Sequence, residues 1–153
     1  MPALELKVPP PVVALLIAAA MGGIGVLAPP IEVLRSIRYI VTAAFALAGG
    51  SFSLAGVISF RRARTTINPL KPETASSLVT AGVYRFTRNP MYVGLLLVLV
   101  AWAAFLASAW ALAGPLAFVL FIHRFQIVPE ERILAGVFGA QYAEYRAKVR
   151  RWL

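Results

Sequence analysis

Two polar clusters with the residue types of a ligand site flank the longest charge-free stretch of the chain. The first contains Arg88, Asn89-Pro90 and Tyr92, and the second contains Glu130 and Glu131. Carboxylates pair with ammonium groups, whereas an arginine and the free amides at a helix start bind carboxylates. Aromatic rings can line a slot for a flat base. Together these groups suit a ligand that combines an amino-acid zwitterion with a base.

The stretch between the two clusters predicts how they meet. Residues 89–123 contain no Asp, Glu, Lys or Arg over 35 positions, and one bilayer crossing needs only about 20. A helical hairpin accommodates this length, with helices over about 90–107 and about 110–128. Because a hairpin returns to the membrane face from which it started, we expect the two clusters to lie side by side there.

The composition predicts an all-α integral membrane protein with about four transmembrane helices, a C-terminal helical hairpin and a cytoplasmic C-terminal helix. The 153 residues are 60% hydrophobic and 14% charged, whereas soluble domains are about 45–50% apolar and about 25% charged. Other charge-free stretches predict helices over about 10–28 and 38–60. We expect a cytoplasmic loop over 61–89 and cytoplasmic helices over 130–149, so that residues 1–153 form a single membrane domain.

The placement of the basic residues indicates membrane topology rather than a nucleic-acid partner. The net charge is +9, but the basic residues gather in the 61–89 loop and near the C-terminus. Since such residues concentrate on the cytoplasmic side, we expect both termini in the cytoplasm, and the short loops favour a prokaryotic inner membrane. The lack of cysteine and a single histidine, His123, argue against a metal site. The sequence leaves the oligomeric state open.

The second half of the chain carries four short motifs within residues 76–152. They are Leu78-Val79-Thr80-Ala81-Gly82-Val83-Tyr84, Arg88-Asn89-Pro90-Met91-Tyr92-Val93-Gly94, Glu130-Glu131 and Phe138-Gly139-Ala140-Gln141-Tyr142-Ala143-Glu144-Tyr145. In this order and spacing they resemble the isoprenylcysteine carboxyl methyltransferase and phospholipid methyltransferase superfamily. The resemblance implies an integral membrane enzyme that uses S-adenosylmethionine, a sulfonium methyl donor with an ammonium, a carboxylate and an adenine.

The resemblance also implies which residues contact the cofactor. They are Ser76, Ser77, Leu78, Val79, Tyr84, Asn89, Pro90, Met91, Tyr92 and Glu130. The charge argument above adds Arg88 as a partner for the carboxylate of the cofactor. The expected acceptor at the cytoplasmic face is lipid-tailed (a membrane lipid or a lipidated small molecule) or a small apolar molecule, and it resembles either an isoprenylcysteine carboxylate or a phospholipid amine.

Two departures from the family pattern leave the acceptor open. The usual histidine of the family is Asn89 here, and Gln126 stands where eukaryotic prenylcysteine enzymes place a substrate-binding arginine. If the acceptor is a carboxylate, Arg124 is the candidate catalytic residue that positions it. If the acceptor is an amine, a base must remove a proton, and Glu131 is the candidate.

Two other functions remain open. Membrane sterol reductases have a similar hairpin with an arginine–histidine–proline-like motif and use NADPH, although they are typically longer than 153 residues. The second alternative is a non-catalytic membrane protein that retains the fold. The presence of both glutamates argues against this second alternative. On the resemblance, we predict an S-adenosylmethionine-dependent methyltransferase.

Overall fold

The computed structural model describes residues 4–65 and 70–153, and within these ranges every regular element is helical. Residues 66–69 of the predicted loop 61–89 lie outside the described residues. The α-helices are α1 (Pro10–Leu27), α2 (Arg35–Arg62), α3 (Pro90–Leu106), α4 (Ala113–Ile122) and α5 (Val128–Lys148). The connecting turns are 3-10 helices at Pro72–Thr74, Gly82–Arg85 and Ala109–Leu112, and a π turn at His123–Ile127.

Three helical stretches of the described chain are long and apolar enough to cross a membrane. They are α1, α2 and the continuous stretch Ala109–Lys148, which contains α4 and α5. The shorter α3 has 17 residues, or about 25 Å at about 1.5 Å per residue, which approaches the about 30 Å of a bilayer core. These findings confirm the predicted class, an all-α integral membrane protein.

Helices α2 and α3 cross closely because both carry glycine at the contact. A Cβ atom added to Gly49 would lie 2.7 Å from the carbonyl oxygen of Gly94, and one added to Gly94 would lie 2.7 Å from that of Gly49. Without a hydrophobic drive between helices in lipid, such small residues allow backbones to approach and pack. The crossing fixes the polar start of α3 beside the second half of α2.

The long C-terminal helix continues through Pro129, although a proline inside a helix commonly kinks or ends it. Proline has no N–H to donate to the carbonyl four residues earlier, and here the Leu6 N–H donates to that carbonyl, Phe125 O, at 3.0 Å. The side-chain amide of Gln126 donates to Val8 O at 2.6 Å. The N-terminal segment is therefore fixed to the junction of α4 and α5. A break in α5 does occur at Gly139, where φ is 49° and ψ is −123°.

Candidate active site

A cleft lies at the end of the bundle where α3 and α5 both begin. The space between its walls, including solvent at the open mouth, is about 820 Å³. The end of α2, the loop before α3, the start of α3 and α5 all contribute. The lining residues are Phe60, Pro72, Ala75, Ser77, Leu78, Val79, Tyr84, Arg88, Asn89, Met91, Tyr92, Ile127, Glu130, Glu131, Leu134, Phe138, Tyr142 and Tyr145.

The two polar clusters meet in this cleft through Tyr92 and Glu130. The Tyr92 hydroxyl donates to Glu130 Oε2 at 3.0 Å, across 38 positions of sequence. The tyrosine is buried in the first turns of α3, whereas Glu130 is half-buried near the start of α5. The other carboxylate oxygen of Glu130 accepts no hydrogen bond from the part of the chain that the structure describes. One acceptor on this carboxylate is therefore available to a ligand.

Glu131 joins the starts of α3 and α5 to the C-terminal tail. Arg88 Nη2 donates to Glu131 Oε1 at 2.9 Å. Arg151 binds both oxygens of the same carboxylate, with Nε at 3.0 Å from Oε1 and Nη2 at 2.7 Å from Oε2. Glu131 is only 8% exposed, and buried charges of this kind depend on their partners. Its bond raises the pKa of Arg151 above the ordinary value, so the arginine stays charged.

The C-terminal tail is also bound through its backbone. The side-chain amide of Asn89 donates to Arg151 O at 2.8 Å, and the buried Thr87 hydroxyl donates to the same oxygen at 3.3 Å. The Arg88 N–H donates to Arg150 O at 2.9 Å. The asparagine that replaces the family's histidine thus holds the tail beside the start of α3.

Aromatic side chains form one wall of the cleft. The ring of Tyr84 meets that of Phe60 edge-on, with centroids 5.4 Å apart and planes at 84°. The Tyr145 hydroxyl donates to the backbone oxygen of Tyr84 at 2.7 Å. Burial, and to a smaller extent the nearby charge of Glu130, raises the pKa of Tyr84 well above its ordinary value. The phenol is therefore neutral and acts as an apolar wall.

The loop before α3 is tied to the end of α2. Thr65 Oγ1 accepts from the Ser76 N–H at 3.0 Å and from the Ser77 N–H at 3.4 Å. Gly82 has a φ of +64°, and a Cβ atom there would lie 2.8 Å from Ser59 Oγ. Only glycine fits this approach without strain. These contacts place the Leu78-Val79 strip and Tyr84 against the cleft.

Most of the residues expected at the cofactor line the cleft, and three predicted site residues do not. Ser76 is exposed and contributes its backbone N–H to Thr65. Pro90 is buried as the first residue of α3. Arg124 lies outside the cleft because its guanidinium pairs with Glu5 at 3.0 Å, with about half of its side chain exposed. The remaining candidates, including Glu131, line the cleft.

Several residues at the cleft were absent from the sequence-based expectations, among them Phe60, Arg151 and Tyr145. Arg151 is essential to the Glu131 cluster, yet its sequence context is that of one more basic residue near a cytoplasmic end. Tyr145 belongs to a recognised motif and shares a helical face with Glu130 and Tyr142. That periodicity was the one local signal that could have placed Tyr145 in the cleft.

The fold is that of a polytopic membrane protein, and its cleft lies where α3 and α5 begin. The family model described as phospholipid methyltransferase matches residues 37–141, more than half of the chain. The chain therefore belongs to the phospholipid methyltransferase family. This confirms the superfamily resemblance carried by the motifs.

Several curated proteins are similar to parts of the chain. The chain is 48% identical over 63 residues to an uncharacterized protein of Haemophilus influenzae, covering 41% of this chain and 100% of the relative. It is 36% identical over 98 residues to protein-S-isoprenylcysteine O-methyltransferase A of Arabidopsis thaliana, covering 62% and 48%. It is also 36% identical over 99 residues to a probable protein-S-isoprenylcysteine O-methyltransferase of Oryza sativa subsp. indica, covering 61% and 49%. The chain thus spans about half the length of these plant relatives. No solved structure matches it.

Proposed function

We propose that this protein is an S-adenosylmethionine-dependent methyltransferase acting on a lipid-tailed acceptor at the cytoplasmic face of a prokaryotic inner membrane, with both termini inside. The observation that carries the proposal is the 3.0 Å hydrogen bond from Tyr92 to Glu130. This bond joins the two polar clusters in one cleft. Family membership and the methyltransferase names of the plant relatives support methyl transfer.

The chemistry of the cleft fits the parts of S-adenosylmethionine. The free oxygen of Glu130 suits the ammonium group. Arg88 Nε is buried and has no hydrogen-bond partner among the described residues, so this guanidinium retains a donor for the carboxylate. The rings of Tyr84 and Phe60 offer an apolar slot for the adenine. When bound, this cofactor supplies an electrophilic methyl group on a sulfonium centre.

The role of the chain in such a reaction is to position the reactants and exclude water. Holding two reactants in line contributes up to about 7–11 kcal/mol. The Arg88–Glu131–Arg151 cluster fixes the spacing between the starts of α3 and α5, and hence between Glu130 and the residues at the start of α3. The buried, apolar Ile127 lines the cleft, where it limits the entry of water.

The geometry favours an acceptor that needs no strong base. Both oxygens of Glu131 already accept hydrogen bonds from arginine, so a proton taken from an amine would neutralise the charge that pairs with Arg88 and Arg151. Arg124 would have to leave Glu5 to reach an acceptor in the cleft. An ionised carboxylate needs only alignment. We therefore favour an isoprenylcysteine-like carboxylate over a phospholipid amine.

Calorimetry of the purified protein in detergent tests the cofactor site. We expect S-adenosylmethionine to bind the wild type and to bind Glu130→Ala about 30-fold more weakly or worse, because a buried charge pair typically contributes about 2–5 kcal/mol. Glu144→Ala is the matched control, since this exposed glutamate of α5 pairs only with Lys148 among the described residues. Unchanged affinity in Glu130→Ala would contradict the proposed role of Glu130.

The alternatives are separated by two further measurements. Titration with NADPH tests the reductase function, and binding of NADPH in place of S-adenosylmethionine would overturn the methyltransferase proposal. Membranes incubated with methyl-labelled S-adenosylmethionine should yield labelled product in the lipid extract. Label in the aqueous phase alone would exclude a lipid-tailed acceptor, and binding of neither cofactor would favour a non-catalytic protein.

A further inference from the structure

A second cavity lies at the opposite end of α3 from the cleft. The cleft surrounds the start of α3 at Pro90, whereas the second cavity is lined by Ala107 and Ser108 just beyond its end. The 17 residues of α3 span about 25 Å, and although the second cavity reaches back along this helix to Val100, it opens at the end opposite Pro90. The second cavity therefore lies in the other leaflet. Its volume is about 650 Å³ including its open side.

The walls of this cavity are almost entirely apolar. Ile37, Val41 and Phe45 line it from one face of α2, and Val100 and Ala104 line it from α3. Side chains of this kind at membrane depth provide a surface for an acyl chain.

Two polar groups stand in this apolar cavity without partners. Ser108 is 3% exposed, and its Oγ makes no hydrogen bond within residues 4–65 and 70–153. Arg38 Nε is buried and equally without a partner there. The Arg38 guanidinium forms none of the ion pairs seen in the described chain and lies 5.0 Å from the ring centroid of Phe105. An unpaired cation and a buried free hydroxyl are both costly at a membrane.

The start of α2 adds to the positive potential of this site. This helix has no side-chain cap and no acidic residue in its first turn, and the amino end of a helix favours an anion. Glu32 precedes the helix but is exposed and forms no ion pair with Arg38. No acidic residue is found among those that line the cavity. The acidic residue nearest in sequence to these lining residues is the exposed Glu32, between Ile31 and Val33.

We propose that this cavity binds an anionic phospholipid of the leaflet opposite the cleft. Arg38 and Ser108 donate hydrogen bonds to the phosphate, as arginine commonly does, and the apolar wall receives the upper part of an acyl chain. The excess positive charge favours a lipid of net negative charge over a zwitterionic one. This inference is independent of the proposed methyl transfer.

Lipid retention by the full chain in detergent tests the proposal. Native mass spectrometry would compare short-chain phosphatidylglycerol with phosphatidylcholine, and thermal unfolding would add inorganic phosphate as a third probe. We expect preferential retention of phosphatidylglycerol, reduced about tenfold in Arg38→Gln, the effect of losing one charged hydrogen bond. Arg35→Gln is the matched control, because it removes the same charge from the same helical turn at an exposed residue that does not line the cavity.

Several results would overturn the inference. Equal losses in Arg38→Gln and Arg35→Gln would indicate diffuse surface charge instead of a site. Equal retention of phosphatidylcholine would indicate an apolar groove without headgroup recognition. Equal stabilisation by inorganic phosphate would indicate an anion site that ignores the acyl chain. If Arg38→Gln does not fold, two results still decide. The wild type must retain phosphatidylglycerol in preference to phosphatidylcholine, and Ser108→Ala must reduce that retention.

Discussion

Replacing Glu131 by glutamine should destabilise the protein far more than the same change at the neighbouring Glu130. Glu131 is buried between two arginines, and the side chain of Arg88 is only 9% exposed. Breaking a buried ion pair typically costs about 3–5 kcal/mol because one charge stays buried without its partner. The Arg151 side chain is 32% exposed, so solvent screens its ion pair with Glu131 and reduces the contribution of that pair. We expect a net loss of about 2–4 kcal/mol.

Glu130→Gln provides the matched comparison one residue away. Within residues 4–65 and 70–153, Glu130 accepts a single hydrogen bond, from Tyr92, and the glutamine amide oxygen can still accept it. The expected loss of stability is about 1 kcal/mol, the scale of one hydrogen bond. S-adenosylmethionine affinity should respond in the opposite order, with the larger loss in Glu130→Gln.

Thermal unfolding in detergent, followed by circular dichroism, measures the difference. A chain of this size loses about 2–4 °C per kcal/mol, so Glu131→Gln should lower the midpoint by about 4–16 °C and Glu130→Gln by no more than about 4 °C. Equal shifts for the two variants, or a Glu131→Gln midpoint within about 2 °C of wild type, would refute the argument that the buried ion-pair cluster holds the cleft together.

Two further changes test the packing and the tail. Gly49→Ala should lower the free energy of unfolding by about 1–3 kcal/mol through overpacking, since its Cβ would lie 2.7 Å from Gly94 O. Gly50→Ala, whose Cβ would have nothing within 4 Å, should stay within about 1 kcal/mol of wild type. Chemical unfolding measures both variants, and equal effects would contradict the close crossing of α2 and α3. Asn89→Ala removes the 2.8 Å hydrogen bond to Arg151 O and should therefore speed amide hydrogen exchange over the last five residues. Unchanged exchange there would show that this amide does not hold the tail.

The membrane fold class could be predicted because hydrophobicity over about 20 residues is a local property of the chain. The starts of α1 and α3 could also be predicted from local sequence, since Pro10 and Pro90 suit a first helical turn. The length of α2 was harder to predict from the sequence. It runs from Arg35 to Arg62, beyond the apolar stretch at both ends, because backbone hydrogen bonding does not stop where the hydrocarbon region stops.

Some contacts of the candidate site could be predicted from the sequence, and others could not. The hairpin length implied that Tyr92 and Glu130 would lie near each other, and their side chains are hydrogen-bonded in the structure. The pairing of Arg151 with Glu131 depends on how the tail turns back after the break at Gly139. The pairing of Arg124 with Glu5 joins residues 119 positions apart. Such contacts follow from tertiary packing, so no local pattern could reveal them.

The π turn at His123–Ile127 has a consequence for how homologues can vary in length. Its i→i+5 closure accommodates one residue more than an α-helical turn. Deleting one residue there would convert it into an ordinary turn and keep the flanking helices in phase. The same deletion early in α5 would rotate everything after it by about 100°. Single-residue insertions and deletions should therefore accumulate at this turn during divergence, sparing both the bilayer-facing surface of α4 and the orientation of Glu130.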